Sequence, residues 1–163
     1  MIENRRRLRL FLDSNVLTGG MLARWGLDKA ALSLCAARVC RLVLAESVRL
    51  EVEANLLSYA AKLSPLEAGL FLDEYEEFVR LADPERIPRP VETLVKASRH
   101  IIAHESVVPV LLSAIAAKPD WIITHNTKHF TEQVAQNTGI RIVTPIDFFR
   151  HMANAIEESR RSG

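Results

Sequence analysis

The chain has 163 residues, a length that suits one domain able to bury its own hydrophobic core. Hydrophobic residues make up 48% of it and charged residues 25%, which excludes a disordered or collagen-like chain. The 21 basic and 20 acidic residues leave a net charge of +1, which excludes a highly basic DNA-packaging protein but not a local basic patch.

The sequence has no apolar run of the roughly 18 residues that a membrane span needs. The apolar run near the N-terminus is too short for a signal-peptide core. Cys35 and Cys40 fall in one apparently helical stretch, where residues five apart do not face each other. We therefore predict two reduced core thiols and a cytoplasmic protein without a membrane segment.

The first quarter of the chain predicts a strand, a divided helix and a second strand. A short apolar run over residues 8–12 indicates a buried strand that ends at Asp13. Residues 21–40 are rich in Ala and Leu, which predicts helix, and Gly26 is expected to divide it. Residues 41–45 form the next short apolar run and predict the second strand.

Two helices are predicted to follow in the second quarter. Residues 46–63 predict a helix, and its apolar positions on one face are Val48, Val52, Leu56 and Tyr59. Ser64, Pro65 and Glu67 form a capping box with proline at the first helical position, so a further helix is expected to begin there and to end at Asp83.

The remaining half predicts further alternation of helix and strand. In order we predict helices over 91–99 and 107–117, a strand over 120–124, a helix over 127–137 closed by Gly139, a strand over 140–143 and a helix over 145–155. Residues 100–103 are ambiguous, because Ile101 and Ile102 also suit a short strand. Residues 157–163 are polar and predict a frayed tail.

This alternation predicts a three-layer α/β/α fold with a mainly parallel central sheet. Ligands of such sheets bind outside the carboxyl ends of the strands. The side chains that follow the predicted strands are therefore the candidates for function, namely Asp13, Ser14, Asn15, Glu46, His104, Glu105, Ser106, Thr124, His125 and Asn126.

Five segments in order resemble the PIN domain family. They are the Phe-Leu-Asp-Ser-Asn-Val-Leu opening at 11–17, the strand and acidic helix at 42–52, the helix at 107–115, the Asp-Trp-Ile-Ile-Thr-His-Asn-Thr-Lys-His-Phe segment at 120–130 and the closing strand and helix at 141–149. The resemblance spans roughly residues 8–150. It implies a single PIN-like domain over 1–156, with the tail over 157–163.

The resemblance also implies an activity and partners. PIN domains are metal-dependent ribonucleases in which acidic residues hold Mg²⁺ or Mn²⁺ near the strand ends. Hard cations suit phosphodiester hydrolysis because they neutralise phosphate charge and promote the deprotonation of water. The resemblance therefore implies a Mg²⁺- or Mn²⁺-dependent endoribonuclease acting on RNA, in many bacterial members a toxin paired with an antitoxin protein, and often a dimer.

The acidic set of the family maps onto four positions, and only two of them hold a carboxylate. Asp13 and Glu51 are acidic, whereas Val107 stands where a third Asp is expected and Asn126 offers a neutral amide oxygen. Fewer ligand charges predict weaker binding of the metal ion. Glu105 lies two residues before Val107 and is a candidate to supply the missing carboxylate. We therefore predict Asp13, Glu51, Asn126 and Glu105 as catalytic residues, the first three as metal ligands.

Ser14, Asn15 and Thr124 are predicted to orient these ligands, although each is also a common turn-capping residue. Asp13 itself also suits a simple helix cap, and Glu51 a solvated helix position. The remaining acids near the predicted site are Glu46, Glu53 and Asp120, and Glu53 is the alternative to Glu51.

Three other interpretations are less favoured. His100 with His104 and His125 with His129 have i, i+4 spacing that suits zinc, but no Cys or third His accompanies them, and Phe130 makes His129 resemble the structural His-Phe pair of the family. The arginine-rich start, residues 5–9, suits RNA-backbone contact but also a solvated N-terminus. A haloacid-dehalogenase-type phosphatase requires Asp where Asn15 stands.

Two functions remain open from the sequence. The first is a metal-dependent endoribonuclease. The second is a catalytically weakened PIN scaffold that binds RNA or a protein partner without cleaving, for which Val107 is the main argument.

Overall fold

The computed structural model describes residues 6–99 and 107–163. Its strands are β1 (Arg9–Leu12), β2 (Arg41–Ala45), β3 (Glu85–Ile87), β4 (Trp121–Ile123) and β5 (Ile142–Val143). Its helices are α1 (Ser14–Leu22), α2 (Leu27–Ala36), α3 (Glu46–Ala60), α4 (Pro65–Ala82), α5 (Glu92–Ala97), α6 (Val108–Ala117), α7 (Glu132–Thr138) and α8 (Pro145–Arg161). This alternation confirms the predicted α/β class.

The five strands form one sheet in the order β3-β2-β1-β4-β5, and every pairing is parallel. Because parallel crossovers are right-handed, connections that run in opposite directions along the sheet cover opposite faces. The helices between β1 and β3 therefore cover one face, and those between β3 and β5 the other. The predicted three-layer arrangement with a parallel sheet is confirmed, and β1 lies at its centre.

The central strands are apolar because helices cover both of their faces. Leu10, Phe11 and Leu12 of β1 are fully buried, as are Ile122 and Ile123 of β4. In the register of the sheet, Leu12 lies opposite Ile123. The residues that immediately follow these two positions, one on each strand, are thus brought side by side at the carboxyl edge.

The predicted helix starts agree with the structure where a cap defines them. Ser64 caps α4 through the predicted capping box, in which it pairs reciprocally with Glu67. Gly26 separates α1 from α2 with a φ of 111°, a value that glycine adopts without strain. The first helix, however, begins at Ser14 instead of residue 21, because Asp13 already caps it.

Four details differ from the sequence prediction. β3 was not predicted, since three residues are too few for a periodic signal and its pairing with β2 fixes it. Tyr59 is 39% exposed, and Ala60 takes the core position at the end of α3. α7 begins only after Thr131, which caps it. α8 extends through Arg161, so the first part of the predicted tail is helical.

Cys35 lies inside α2 and Cys40 just before β2, so the two do not share a helix as predicted. Both are buried free thiols, as expected. Burial raises the pKa of the Cys35 thiol to about 12, which makes this thiol unreactive. No helix among the described residues is long and apolar enough to cross a membrane.

Candidate active site

A cavity of about 370 Å³ lies at the carboxyl edge of the sheet, where β1 and β4 end. Five predicted site residues line it: Asp13, Ser14, Asn15, Glu51 and Asn126. The other lining residues are Asn55, Val107, Val110, His129 and Phe130. A larger cavity of about 620 Å³ lies between α2 and α4, and none of the predicted site residues line it. The smaller cavity is therefore the candidate active site.

Asp13 is the central group of this cavity. It caps α1 and is only 4% exposed. Its Oδ1 accepts the Ser14 backbone N–H at 2.9 Å, and its Oδ2 accepts the Thr124 hydroxyl at 2.6 Å and the Asn15 side-chain amide at 3.1 Å. Because a carboxylate offers about four acceptor positions, one position on Oδ1 remains for a further ligand.

All donors to Asp13 are neutral, and no described Lys, Arg or His forms an ion pair with it. A buried carboxylate without a cation is unfavourable, because hydrogen bonds from neutral groups replace only part of its hydration. The cavity therefore presents a buried carboxylate whose described hydrogen-bond partners are all neutral donors.

Thr124 and Asn15 connect the ends of β1 and β4 around this carboxylate. The Thr124 side chain is fully buried, and its hydroxyl also accepts the Asn126 backbone N–H at 2.9 Å. The Asn15 carbonyl oxygen accepts the His125 backbone N–H at 3.0 Å. These bonds fix the orientation of Asp13 relative to the loop after β4.

Glu51 reaches the cavity from α3. Val48, Val52 and Leu56 anchor this helix in the core, which turns Glu51 toward the cavity as an exposed side chain. Its carboxylate forms no hydrogen bond or ion pair with another described residue. Glu53, the alternative acid, is instead paired with Arg49 at 2.7 Å and does not line the cavity.

Asn126 faces the cavity but is held by its own loop. Its Oδ1 accepts the His129 backbone N–H at 3.3 Å. Its Nδ2 lies 3.1 Å from Nδ1 of the His129 ring. An amide oxygen has two acceptor positions, so one stays open to a cation. The Asn126 side chain therefore stabilises its own loop through His129, and its oxygen keeps one acceptor position for a metal ion.

Val107 lines the cavity directly before α6 and is 8% exposed. The position that the resemblance assigns to the third acid thus lies in the cavity wall and holds an apolar side chain. Glu105, the predicted substitute, lies outside the described residues, as do His100, His104 and the ambiguous strand at Ile101 and Ile102.

The second predicted histidine pair does not form a metal site. Residues 127–129 form a turn and α7 begins only at Glu132, so the two histidines do not share the predicted helix. His125 Nε2 lies 2.7 Å from Asp28 on α2, whereas His129 faces the cavity. Among the described residues no group of three or more His, Cys, Asp or Glu side chains is close enough to hold a metal ion.

The donors that do meet in the cavity fit a hard divalent cation of the magnesium type. Mg²⁺ binds through one or two carboxylates and keeps several water ligands, so Asp13 and Glu51 satisfy its minimum requirement. Asn55 and Asn126 add amide oxygens in the same wall. The lining residues include no thiol and one imidazole, that of His129, whereas zinc sites combine several such ligands.

Two lining residues escaped the sequence prediction. Asn55 lies one helical turn after Glu51, and the i, i+4 spacing on α3 was the signal that could have identified it. His129 was interpreted only as part of a structural His-Phe pair. A helix was predicted over 127–137, so the turn at this residue, which directs it into the cavity, was not expected.

Comparison with known proteins supports the fold. No protein-family model and no curated protein matches the chain. The crystal structure of FitAcB from Neisseria gonorrhoeae is similar, with 14% sequence identity and a TM-score of 0.58 over 83% of this chain and 97% of that chain. At this identity the similarity is one of fold alone, and it confirms the predicted PIN-like architecture.

Proposed function

We propose that this chain is a Mg²⁺- or Mn²⁺-dependent endoribonuclease of the PIN type. The observation that supports it most is the buried Asp13 carboxylate, which lacks a described cationic partner and shares a cavity with the exposed carboxylate of Glu51. The cavity lies at the carboxyl edge of the sheet, and the resemblance to PIN domains implies a metal ion near these strand ends.

Asp13 and Glu51 would hold the ion, with Asn126 as a neutral ligand. When bound, a divalent cation supplies charge neutralisation at phosphate and a more acidic water molecule. The chain orients the carboxylates: Thr124 and Asn15 hold Asp13, and helix α3 carries Glu51. The cavity leaves room for a phosphate group beside the two carboxylates.

A second candidate function is a scaffold that binds RNA or a protein without cleaving. The observation in its favour is Val107, an apolar side chain in the cavity wall at the position of the third acid. Two carboxylates bind a divalent ion less tightly than three or four, so the activity depends on the metal concentration in the assay.

One experiment separates the two functions. We would titrate Mn²⁺ into the protein by calorimetry and incubate single-stranded and structured RNA with the wild type, Asp13→Asn and Glu51→Gln. We expect weak Mn²⁺ binding and RNA cleavage that both substitutions abolish. Glu76→Gln, an exposed glutamate of α4 outside the cavity, is the matched control. Cleavage that survives Asp13→Asn would trace to a contaminant, and wild-type protein that binds no millimolar Mn²⁺ would favour the scaffold.

The placement of the third acid has its own test. Val107→Asp adds a carboxylate to the cavity wall, so we expect the Mn²⁺ affinity to rise roughly tenfold or more. Val107→Asn controls for polarity and size without charge. An unchanged affinity in the Asp variant would refute the alignment of this position.

The resemblance further leads us to propose an antitoxin partner and a homodimer. A small neighbouring reading frame with a DNA-binding N-terminal part and an apolar tail would support the antitoxin. Light scattering of the purified chain measures the dimer directly, and a monomer at all concentrations would count against it.

A further inference from the structure

A second cavity adjoins the candidate active site at the carboxyl edge of the sheet. It has a volume of about 440 Å³ and lies where β5 ends, between the first turns of α7 and α8. Phe130 lines both cavities. Thr124 lines the second cavity and donates its hydroxyl to Asp13 at 2.6 Å. A ligand in the second cavity therefore lies next to the carboxylates of the first.

The second cavity combines an apolar wall with a polar rim. Its polar groups are threonine hydroxyls and the two carboxylates of Glu132 and Asp147, and the described lining residues include no Lys, Arg or His. A phosphate group would meet only negative charge here, so the cavity favours an uncharged group that donates hydrogen bonds. The apolar wall is buried or half-buried and consists of Phe130, Ala135, Ile142 and Val143.

Two polar groups of the rim are available to a ligand. The carboxylate of Glu132 and the hydroxyl of Thr127 form no hydrogen bond or ion pair with another described residue, and both residues are exposed. Asp147, by contrast, accepts the Thr144 hydroxyl at 3.1 Å and lies 3.6 Å from Arg150. Because a carboxylate can only accept, the group that Glu132 binds has to carry a donor.

We propose that this cavity binds a nucleobase of the RNA, beside the phosphodiester bond held at Asp13 and Glu51, and that Glu132 selects a base with an amino group. Cytosine, adenine and guanine each present an NH₂ donor. Uracil presents an oxygen where cytosine presents its amino group, and this oxygen would face the carboxylate. The inference rests on the proposed ribonuclease function and deepens it by naming the base preference of the substrate.

A nucleobase fits these observations better than a peptide strand added to the same edge of the sheet. β5 is an edge strand, but it spans only Ile142 and Val143, which is too short to direct the pairing of a further strand. The aromatic side chain in the wall and the wall shared with the carboxylate cavity suit a base and its neighbouring phosphate.

The base preference is tested by fluorescence anisotropy with labelled oligocytidine and oligouridine of equal length. We would measure both in EDTA, which prevents metal-dependent cleavage, and in Mn²⁺. The two bases have the same ring size and differ where the amino group is replaced by an oxygen. We expect the wild type to bind oligocytidine about fivefold or more tightly than oligouridine. Equal affinities would overturn the inference and assign the acidic rim to a cationic protein segment instead.

Glu132→Gln tests the residue that we assign to the selection. Removal of one negative charge raises the affinity for any RNA, and Glu157→Gln, at an exposed position of α8 outside both cavities, removes the same charge. We expect the ratio of the two affinities to fall to about twofold or less in Glu132→Gln, because an amide also offers a donor to uracil, and to stay at the wild-type value in Glu157→Gln. An unchanged ratio in Glu132→Gln would overturn the assignment.

A substitution without a change of charge tests the cavity itself. Ala135→Phe fills the space beside Glu132, so we expect it to abolish the preference as well, and a preference that survives it would place the base elsewhere and overturn the inference. Circular dichroism of each variant confirms that the fold is retained. Wild-type protein that binds both oligonucleotides equally would overturn this inference alone. Wild-type protein that binds neither in either buffer would overturn the proposed function and the inference with it.

Discussion

The two edges of the sheet use their acidic residues in opposite ways. At the amino edge, Glu85 of β3 accepts two bonds from the Arg9 guanidinium, at 2.9 and 2.6 Å, and also lies 3.6 Å from Arg41. At the carboxyl edge, Asp13 receives only neutral donors and Glu51 has no described partner. The amino edge has its charges balanced by the chain itself, whereas the carboxyl edge leaves negative charge for a cation to balance.

Arg9 shows how fully the amino edge is satisfied. Besides Glu85, its guanidinium donates to the backbone oxygens of Ala117 and Lys118, where α6 ends, each at 2.8 Å. It thus joins β1, β3 and α6 in one contact. The comparison teaches that the two edges lie at opposite ends of the strands, so a substitution at one edge leaves the contacts of the other in place.

The largest effect is expected from breaking the amino edge. Arg9→Ala leaves Glu85 and two helix-end carbonyls without their main donor, and we expect a loss of roughly 3 kcal/mol in the free energy of unfolding. Urea denaturation followed by circular dichroism measures it. Arg80→Ala, which removes an exposed pair with Glu77, serves as the control and should have a much smaller effect. Equal losses in both variants would contradict the assigned role of Arg9.

The next effect concerns the support of Asp13 at the carboxyl edge. Thr124→Val keeps the shape of the side chain but removes the 2.6 Å bond to Asp13, so we expect a loss of about 2 kcal/mol in unfolding free energy and weaker Mn²⁺ binding. Thr138→Val removes a hydroxyl bond to a helix carbonyl far from the cavity and is the matched control. A variant as stable as the wild type would show that this bond contributes little.

A smaller effect is expected from adding the divalent cation that we propose. At a Mn²⁺ concentration of ten times its Kd, binding to the folded state alone should stabilise the protein by about 1.4 kcal/mol. Thermal unfolding with and without Mn²⁺ measures it. Glu51→Gln should abolish the increase while leaving the stability without metal nearly unchanged, because Glu51 has no described partner. A full increase in this variant would remove Glu51 from the metal site.

The smallest effect is the pH dependence of the amino edge. The hydrogen bonds from Arg9 lower the pKa of Glu85 below its usual range. The unfolded state therefore binds the proton more readily, and this contribution to stability is present above about pH 4.3 and is lost as the pH falls through the lower pKa of the folded state. Urea denaturation between pH 2.5 and 6 should show a shallower dependence for Glu85→Gln than for the wild type, whereas Glu76→Gln should match the wild type.

The sequence predicted the edge positions well because local rules govern them. Asp13 follows an apolar run and Thr124 follows another, and parallel pairing in register brings the residues after Leu12 and Ile123 together. Glu51 followed from the resemblance to the PIN domain family, with Glu53 as the alternative. The local pattern thus predicted the residues at the strand ends, whereas the residue on the helix needed the resemblance.

The parts that could not be predicted depend on contacts between distant residues. β3 exists because β2 pairs with it and Arg9 bonds to Glu85, and neither is visible in three residues of local sequence. The direction of His129 depends on a turn that Asn126 stabilises, and a helix was predicted there. The pairing of Glu53 with Arg49, which removes it from the candidate ligands, likewise required the structure.

The hydrogen bond between Thr124 and Asp13 joins residues 111 positions apart. During synthesis, β1, which precedes Asp13, is made before its neighbour β4, because β4 lies at Trp121–Ile123, far along the chain from Arg9–Leu12. Contacts of such separation form late in folding, because a long loop must close before they stabilise the chain. The nascent chain therefore has no assembled site before β4 has been made, and any nuclease activity would depend on that late pairing.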